Sequence, residues 1–159
     1  MLPFLAVALA APTVLATPDG AVRATVHVDA PATVEHDLLA DGGRAVRLSP
    51  DVRTAFATAD GTCQRVDLTN RTIVGTFTTT TRRCPVTGGF RETLVTSDLY
   101  LRWDGVWEIV PDGSGTRVTA TYDVQLDLPV PSASVRSRTA RALAALEATV
   151  APATARVDR

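Results

Sequence analysis

The sequence predicts an α+β chain: an antiparallel sheet of about seven strands, two short helices after the first strand, and a long C-terminal helix. Three observations carry that reading. Ala21–Asp29 alternates strictly, with Val22, Ala24, Val26 and Val28 on one face and Arg23, Thr25, His27 and Asp29 on the other, the period of a half-buried strand. From Val52 to Leu128 the chain runs through β-rich segments punctuated by Asp60-Gly61 and Asp112-Gly113-Ser114-Gly115, which are hairpin signals. After the Pro129–Pro131 break, apolar residues recur at helical spacing.

The elements follow in chain order. Pro31 suits the first turn of a helix, Val34, Leu38 and Leu39 form its apolar stripe, and Gly42-Gly43 end it. His36 falls off that stripe beside Glu35 and Asp37, which predicts exposure. A second short helical turn is expected over Arg44–Leu48, before Pro50. Strands are predicted over Val52–Thr58, Thr62–Leu68, Ile73–Thr81, Phe90–Thr96, Leu99–Val110 and Arg117–Leu128, with a turn at Thr69-Asn70-Arg71-Thr72. In the last hairpin Leu101, Trp103, Trp107 and Ile109 share one face with Val118, Ala120, Tyr122, Val124 and Leu126; Arg102, Asp104, Glu108, Arg117, Thr119 and Asp123 share the other. The final helix takes Ser132 as N-cap and presents Val135, Thr139, Ala142, Leu143, Leu146 and Val150 to the apolar sheet face. Its alanines, at 140, 142, 144, 145 and 148, leave it slim, which is compatible with a cavity beneath it and equally with tight helix-on-sheet packing.

The chain has 159 residues, a net charge of −1 and 16 basic residues, all of them Arg. That length fits one domain, and the lack of Lys excludes Schiff-base chemistry on this chain. A near-neutral charge with no basic run gives no footprint for nucleic acid. MLPFLAVALAAPTVLATPDG carries no charge before Asp19 and is too Pro-interrupted for a membrane span of about 20 residues. It reads as a secretory leader, with Val14 and Ala16 placed for cleavage after Ala16, although a basic n-region is missing and a first strand or retained anchor is the alternative. The expected organisation is a leader over 1–16, one domain over 21–150 and a flexible tail over 151–159, with no stable membrane span once the leader is removed.

The two cysteines, Cys63 and Cys84, would meet at the open end of the hairpin that follows Asp60-Gly61. In an exported protein such a pair oxidises, and closing a loop of about 20 residues adds roughly 3 kcal/mol in the chain-entropy model. Two free thiols would be the alternative in a cytosolic chain. Cys63 and Cys84 with His27 and His36 lack zinc-ligand spacing, so no metal and no cofactor is expected. Asn70-Arg71-Thr72 is formally a glycosylation acceptor, too common a tripeptide to carry weight.

The order of these elements resembles the helix-grip fold of the START-like, birch-pollen-allergen superfamily, which includes polyketide cyclase/dehydrase-like proteins. The resemblance is carried by VHVDAPATVEHDLLAD (Val26–Asp41), GVWEIVPDGSGTRVTATYDVQLDL (Gly105–Leu128) and VPSASVRSRTARALAALEA (Val130–Ala148). It implies a curved antiparallel sheet wrapped around the long C-terminal helix, with an apolar pocket between them. Two departures stand out: GGRAVRLSPDV lacks the tryptophans many relatives carry after the first helix, and the cysteine pair is not general in the superfamily, which suggests an exported branch.

The sequence contains no GxSxG elbow, no phosphate-cradling glycine loop and no HExxH. Asp98, Asp104 and Glu108 could in principle do acid/base work, but alternation puts Asp104 and Glu108 on the wet face as part of a solvated charge set, and Arg82-Arg83 reads as a loop pair. The expected pocket wall is Phe56, Phe77, Trp103, Trp107, Tyr122, Leu143 and Leu146, with Tyr100 or Leu101 beside them. Trp103, Trp107 and Tyr122 bring polar handles into an apolar wall. Three functions remain open: a non-catalytic carrier of a hydrophobic or lipid-like molecule in the envelope, an aromatase/cyclase-type enzyme using Tyr122 or Asp98, and a structural module whose core fills itself. The carrier reading leads, because the catalytic set is missing.

Overall fold

In the computed structural model the described residues are 13–16, 21–49, 51–72, 75–127, 137, 141 and 145. They form one curved, antiparallel sheet of eight strands in the order β1-β2-β8-β7-β6-β5-β4-β3. The strands are β1 (Thr13–Ala16), β2 (Val22–Val28), β3 (Val52–Asp60), β4 (Cys63–Thr72), β5 (Gly75–Val86), β6 (Gly89–Ser97), β7 (Tyr100–Asp112) and β8 (Gly115–Leu126). Helices α1 (Ala32–Ala40) and α2 (Gly42–Val46) follow β2. Consecutive hairpins build β3 to β8, and β2 closes onto β8 as a non-local neighbour, so the two helices are inserted between strands at opposite halves of the sheet.

The apolar faces come from alternation. Val22, Ala24, Val26 and Val28 of β2 are buried as predicted, and the last three join Leu39, Phe90, Trp107, Ile109, Val118 and Ala120 in one core. The paired alanines Ala24 and Ala120 keep that part of the sheet thin-skinned. Asp104, Glu108 and Arg102 occupy the outer face, in cross-strand pairs with Arg91 (2.6 Å), Arg23 (3.2 Å) and Asp123 (2.7 Å), respectively. These are solvated pairs of small individual weight.

Several boundaries differ from expectation for local reasons. Gly42 and Gly43 open α2 instead of only ending α1: Asp41 caps the second helix, accepting from the Gly43 N–H at 2.9 Å and the Arg44 N–H at 3.2 Å. A Cβ at Gly42 would collide with the side chains of Val66, Gln64 and Arg83, so glycine lets α2 lie directly on β4 and β5. Thr69–Thr72 belongs to β4, because Thr72 pairs with Gly75 of β5. Asn70 is therefore buried inside a strand, out of reach as a glycosylation acceptor.

Register also sets the cysteines. Gln64 stands opposite Arg83, so the next residues outward, Cys63 and Cys84, face each other and form a disulfide with Cα atoms 4.2 Å apart. Their separation of 21 residues makes the cross-link worth about 3 kcal/mol against the unfolded chain.

β1 pairs antiparallel with Val22–Thr25 of β2, so part of the segment read as a leader forms an edge strand of the sheet. Ser137, Arg141 and Ala145, spaced by four, are helical, and the Arg141 guanidinium lies 4.0 Å from Asp51 just before β3. The remainder of the long helix predicted over Ser132–Val150, with Leu143 and Leu146, and the tail over 151–159 lie outside the described residues.

Candidate binding face

The concave face of the sheet carries one row of polar residues set directly opposite each other. Gln64 of β4, Arg83 of β5, Glu92 of β6, Gly105 of β7 and Tyr122 of β8 are consecutive partners across four ladders. Cross-strand neighbours on one face lie within about 5.5 Å, so these side chains must interact. Arg83 Nη1 donates to Glu92 Oε1, and Nη2 donates to the Leu39 carbonyl at 2.7 Å. That carbonyl belongs to the last turn of α1, where carbonyls lack intrahelical partners and attract cations. The Arg83 guanidinium also stacks over Phe90, 4.5 Å from the ring centroid. Arg83 and Glu92 are each almost completely buried, so this is an ion pair in the protein interior and not a loop charge pair.

Gly105 is the gap in the row that lets Tyr122 reach across it. A Cβ there would run into the Tyr122 ring. Tyr122 instead leans over Gly105 and donates from its hydroxyl to Glu92 Oε2 at 3.2 Å, while accepting from Trp107 Nε1 at 2.7 Å. Burial first, and then the Glu92 charge, hold the Tyr122 hydroxyl well above its ordinary pKa of 10, so it keeps its proton.

The next inward row contributes Thr81 and Trp103. The Trp103 ring meets Tyr100 edge-on at 4.8 Å and Tyr122 at 5.5 Å, giving an aromatic wall on β7 and β8. Among the described residues, Trp103 Nε1, Thr81 Oγ1, Arg83 Nε and Asn70 Oδ1 are buried without a hydrogen-bond partner. A fourth element, α1, supplies another such group. Glu35 of α1 is 0% exposed, neither carboxylate oxygen has a partner, and burial raises its pKa from 4.5 to about 7.

Of the residues expected to line a pocket, Trp103, Trp107 and Tyr122 are brought together, and Phe77 is half-buried on the same face opposite Asn70. Phe56 is not part of the wall: it stands opposite Asp67 on the outer face and is 66% exposed. A bulge between Tyr100 and Arg102 turns Tyr100 inward and Leu101 outward, which resolves that pair. Asp98 is also excluded; it is exposed and caps the neighbouring strand, where hydrogen bonds from the Thr78 N–H and hydroxyl hold its carboxyl below the usual range. Leu143 and Leu146 lie outside the described residues. His36 is exposed, as expected, against the Phe90 ring at 4.9 Å. Arg83, Glu92, Gly105 and Glu35 were not anticipated.

The same architecture occurs in solved structures. A START superfamily protein from Mycobacterium smegmatis superposes with a TM-score of 0.68 at 24% identity, over 83% of this chain and 97% of that one. A STAR-related lipid transfer protein from Xanthomonas axonopodis gives 0.71 at 19% identity, over 89% and 99%. The fold is that of the START-like, helix-grip superfamily. The Zhui aromatase/cyclase from Streptomyces sp. R1128 shares this helix-grip architecture too, with a TM-score of 0.67 at 20% identity over 87% and 95% of the two chains. No protein-family model matches the sequence, and no curated protein matches it.

Proposed function

We propose that the protein binds a hydrophobic, lipid-like small molecule on the concave face of its sheet and carries it, chemically unchanged, outside the cytoplasm. The observation that carries this reading is the aromatic wall of Tyr100, Trp103, Trp107 and Tyr122 with an unpaired indole N–H buried in it. Apolar surface with a few convergent polar groups is what a small-molecule site requires, and a buried donor without an acceptor is costly unless a ligand supplies one. Solved structures of like fold bear the names lipid transfer protein and START protein, in keeping with it.

The cyclase alternative needs an inward group able to move a proton. Tyr122 is such a group by position, but its hydroxyl is already committed to Glu92 and Trp107 and holds its proton tightly, which favours carriage over catalysis. Export is supported by the disulfide. Cleavage after Ala16 would also remove β1 and leave β2 as the sheet edge.

Native mass spectrometry of protein recovered from the envelope fraction of a bacterial host tests both parts. The expected species starts at Thr17, is two hydrogens light from the disulfide, and sheds an apolar adduct on denaturation. A cytosolic protein with free thiols overturns export; an adduct-free mass together with failure to take up added lipid overturns the carrier reading.

A further inference from the structure

The interior charge balance says what kind of polar end the ligand has. Arg83 and Glu92 neutralise each other, the Tyr122 hydroxyl is consumed in holding Glu92, and the Trp107 indole in holding that hydroxyl. Glu35 has no such counterpart. It and Leu39 are the two fully buried residues of α1, one turn apart on the face that packs toward β7 and β8. Leu39 shares its core cluster with the Trp107 indole, the Tyr122 phenol packs against that cluster, and Trp103 and Tyr100 continue the same wall along β7. The titratable group on α2, Arg44, is exposed, and the Arg83–Glu92 pair lies beyond the Leu39 carbonyl. Among the described residues, Glu35 is therefore a buried carboxylate without a cation, and both of its oxygens lack a hydrogen-bond partner.

We infer that Glu35 anchors a ligand that ends in a protonated amine: a lipophilic monocation whose ammonium donates to Glu35 Oε1 and Oε2 while its apolar body lies along the aromatic wall. This rests on the carrier reading and names the class of molecule carried. Three features select an amine over other end groups. Two unpaired acceptor oxygens match an ammonium, which has donors to spare, and leave an ester or ketone, which only accepts, unserved. A cation supplies the missing counter-charge, whereas a fatty acid would add a second negative charge to the same dry space. The rings of Trp107 and Tyr122, in and against the cluster that holds Leu39, are additionally suited to a cation, whose attraction to an aromatic face grows on desolvation. The burial that raises Glu35 to about 7 is relieved when the cation enters, so amine binding releases a proton below that pH.

The test compares dodecylamine, dodecanol and dodecanoic acid, three ligands of one chain length, by tryptophan fluorescence titration of the whole protein below micellar concentration. Near pH 8 the amine should bind the wild type about tenfold or more tighter than the alcohol or the acid, as expected for a charge-assisted hydrogen bond. Glu35→Gln, which keeps size and removes the charge, should bring the amine down to the level of the alcohol. In the wild type the preference should fall as pH drops below about 7. An amine no tighter than the alcohol, or a preference that survives Glu35→Gln, overturns the inference while the bound alcohol keeps the carrier reading intact. Failure of all three ligands to bind overturns both.

Discussion

Replacing Glu35 by Gln stabilises the protein at pH 8 and does little at pH 4. The sign follows from linkage. A carboxyl raised from 4.5 to about 7 on folding binds its proton more tightly in the folded state, so its contribution is fully present below 4.5 and is lost as pH rises toward 7. Above that range the folded chain holds an unpaired buried carboxylate, and the interval corresponds to about 3 kcal/mol. Gln carries no charge at any pH and escapes the loss. Urea unfolding followed by tryptophan fluorescence across pH 4 to 8 should therefore show the stability difference between Glu35→Gln and wild type widening by about 3 kcal/mol, with the change concentrated between 4.5 and 7. A difference that stays constant with pH would mean that Glu35 is solvated or paired.

The second large effect belongs to the Arg83–Glu92 pair. Glu92→Leu leaves a guanidinium buried without its carboxylate and removes the acceptor of the Tyr122 hydroxyl; Arg83→Met leaves the carboxylate with Tyr122 alone. Breaking one side of a buried pair costs about 3–5 kcal/mol, whereas replacing both sides with apolar residues of similar volume is often close to neutral. The double variant Arg83→Met/Glu92→Leu should accordingly be more stable than either single one in a denaturant titration. Simple addition of the two losses would show that the residues do not act as a unit.

Both sites test how far a sequence can be read. The strands of the concave wall were legible because alternation and turn glycines specify them: Val22, Ala24, Val26 and Val28, and then Trp103, Trp107 and Tyr122, all fall on the buried face. The disulfide was legible for the same reason. The Arg83–Glu92 pair was recoverable in principle, since a two-residue turn at Thr87-Gly88 sets Val86 against Gly89 and thereby Arg83 against Glu92. It was missed because two adjacent arginines before a cysteine resemble a loop, and β5 was ended at Thr81 when it continues to Val86. Phe56 was assigned inward on hydrophobicity alone; its partner Asp67 shows that it shares the outer face. Glu35 had no sequence signal. A carboxylate beside Val34 on a short helix argues for the wet face, and only the packing of α1 toward β7 and β8 makes it an interior group. Gly105 was read merely as a strand residue, although its lack of a side chain is what lets Tyr122 cross to Glu92.

The two tryptophans give the most direct view of the concave face, because each contributes one indole N–H signal to a proton–nitrogen correlation spectrum. Titrating dodecanol into the labelled protein should move the Trp103 indole strongly, as its unpaired donor meets the ligand hydroxyl, and the Trp107 indole less, since Tyr122 already occupies it. Amides flanking Phe56 on the outer face should stay in place. Indole signals that remain fixed while outer-face amides shift would contradict a binding site on the inner wall.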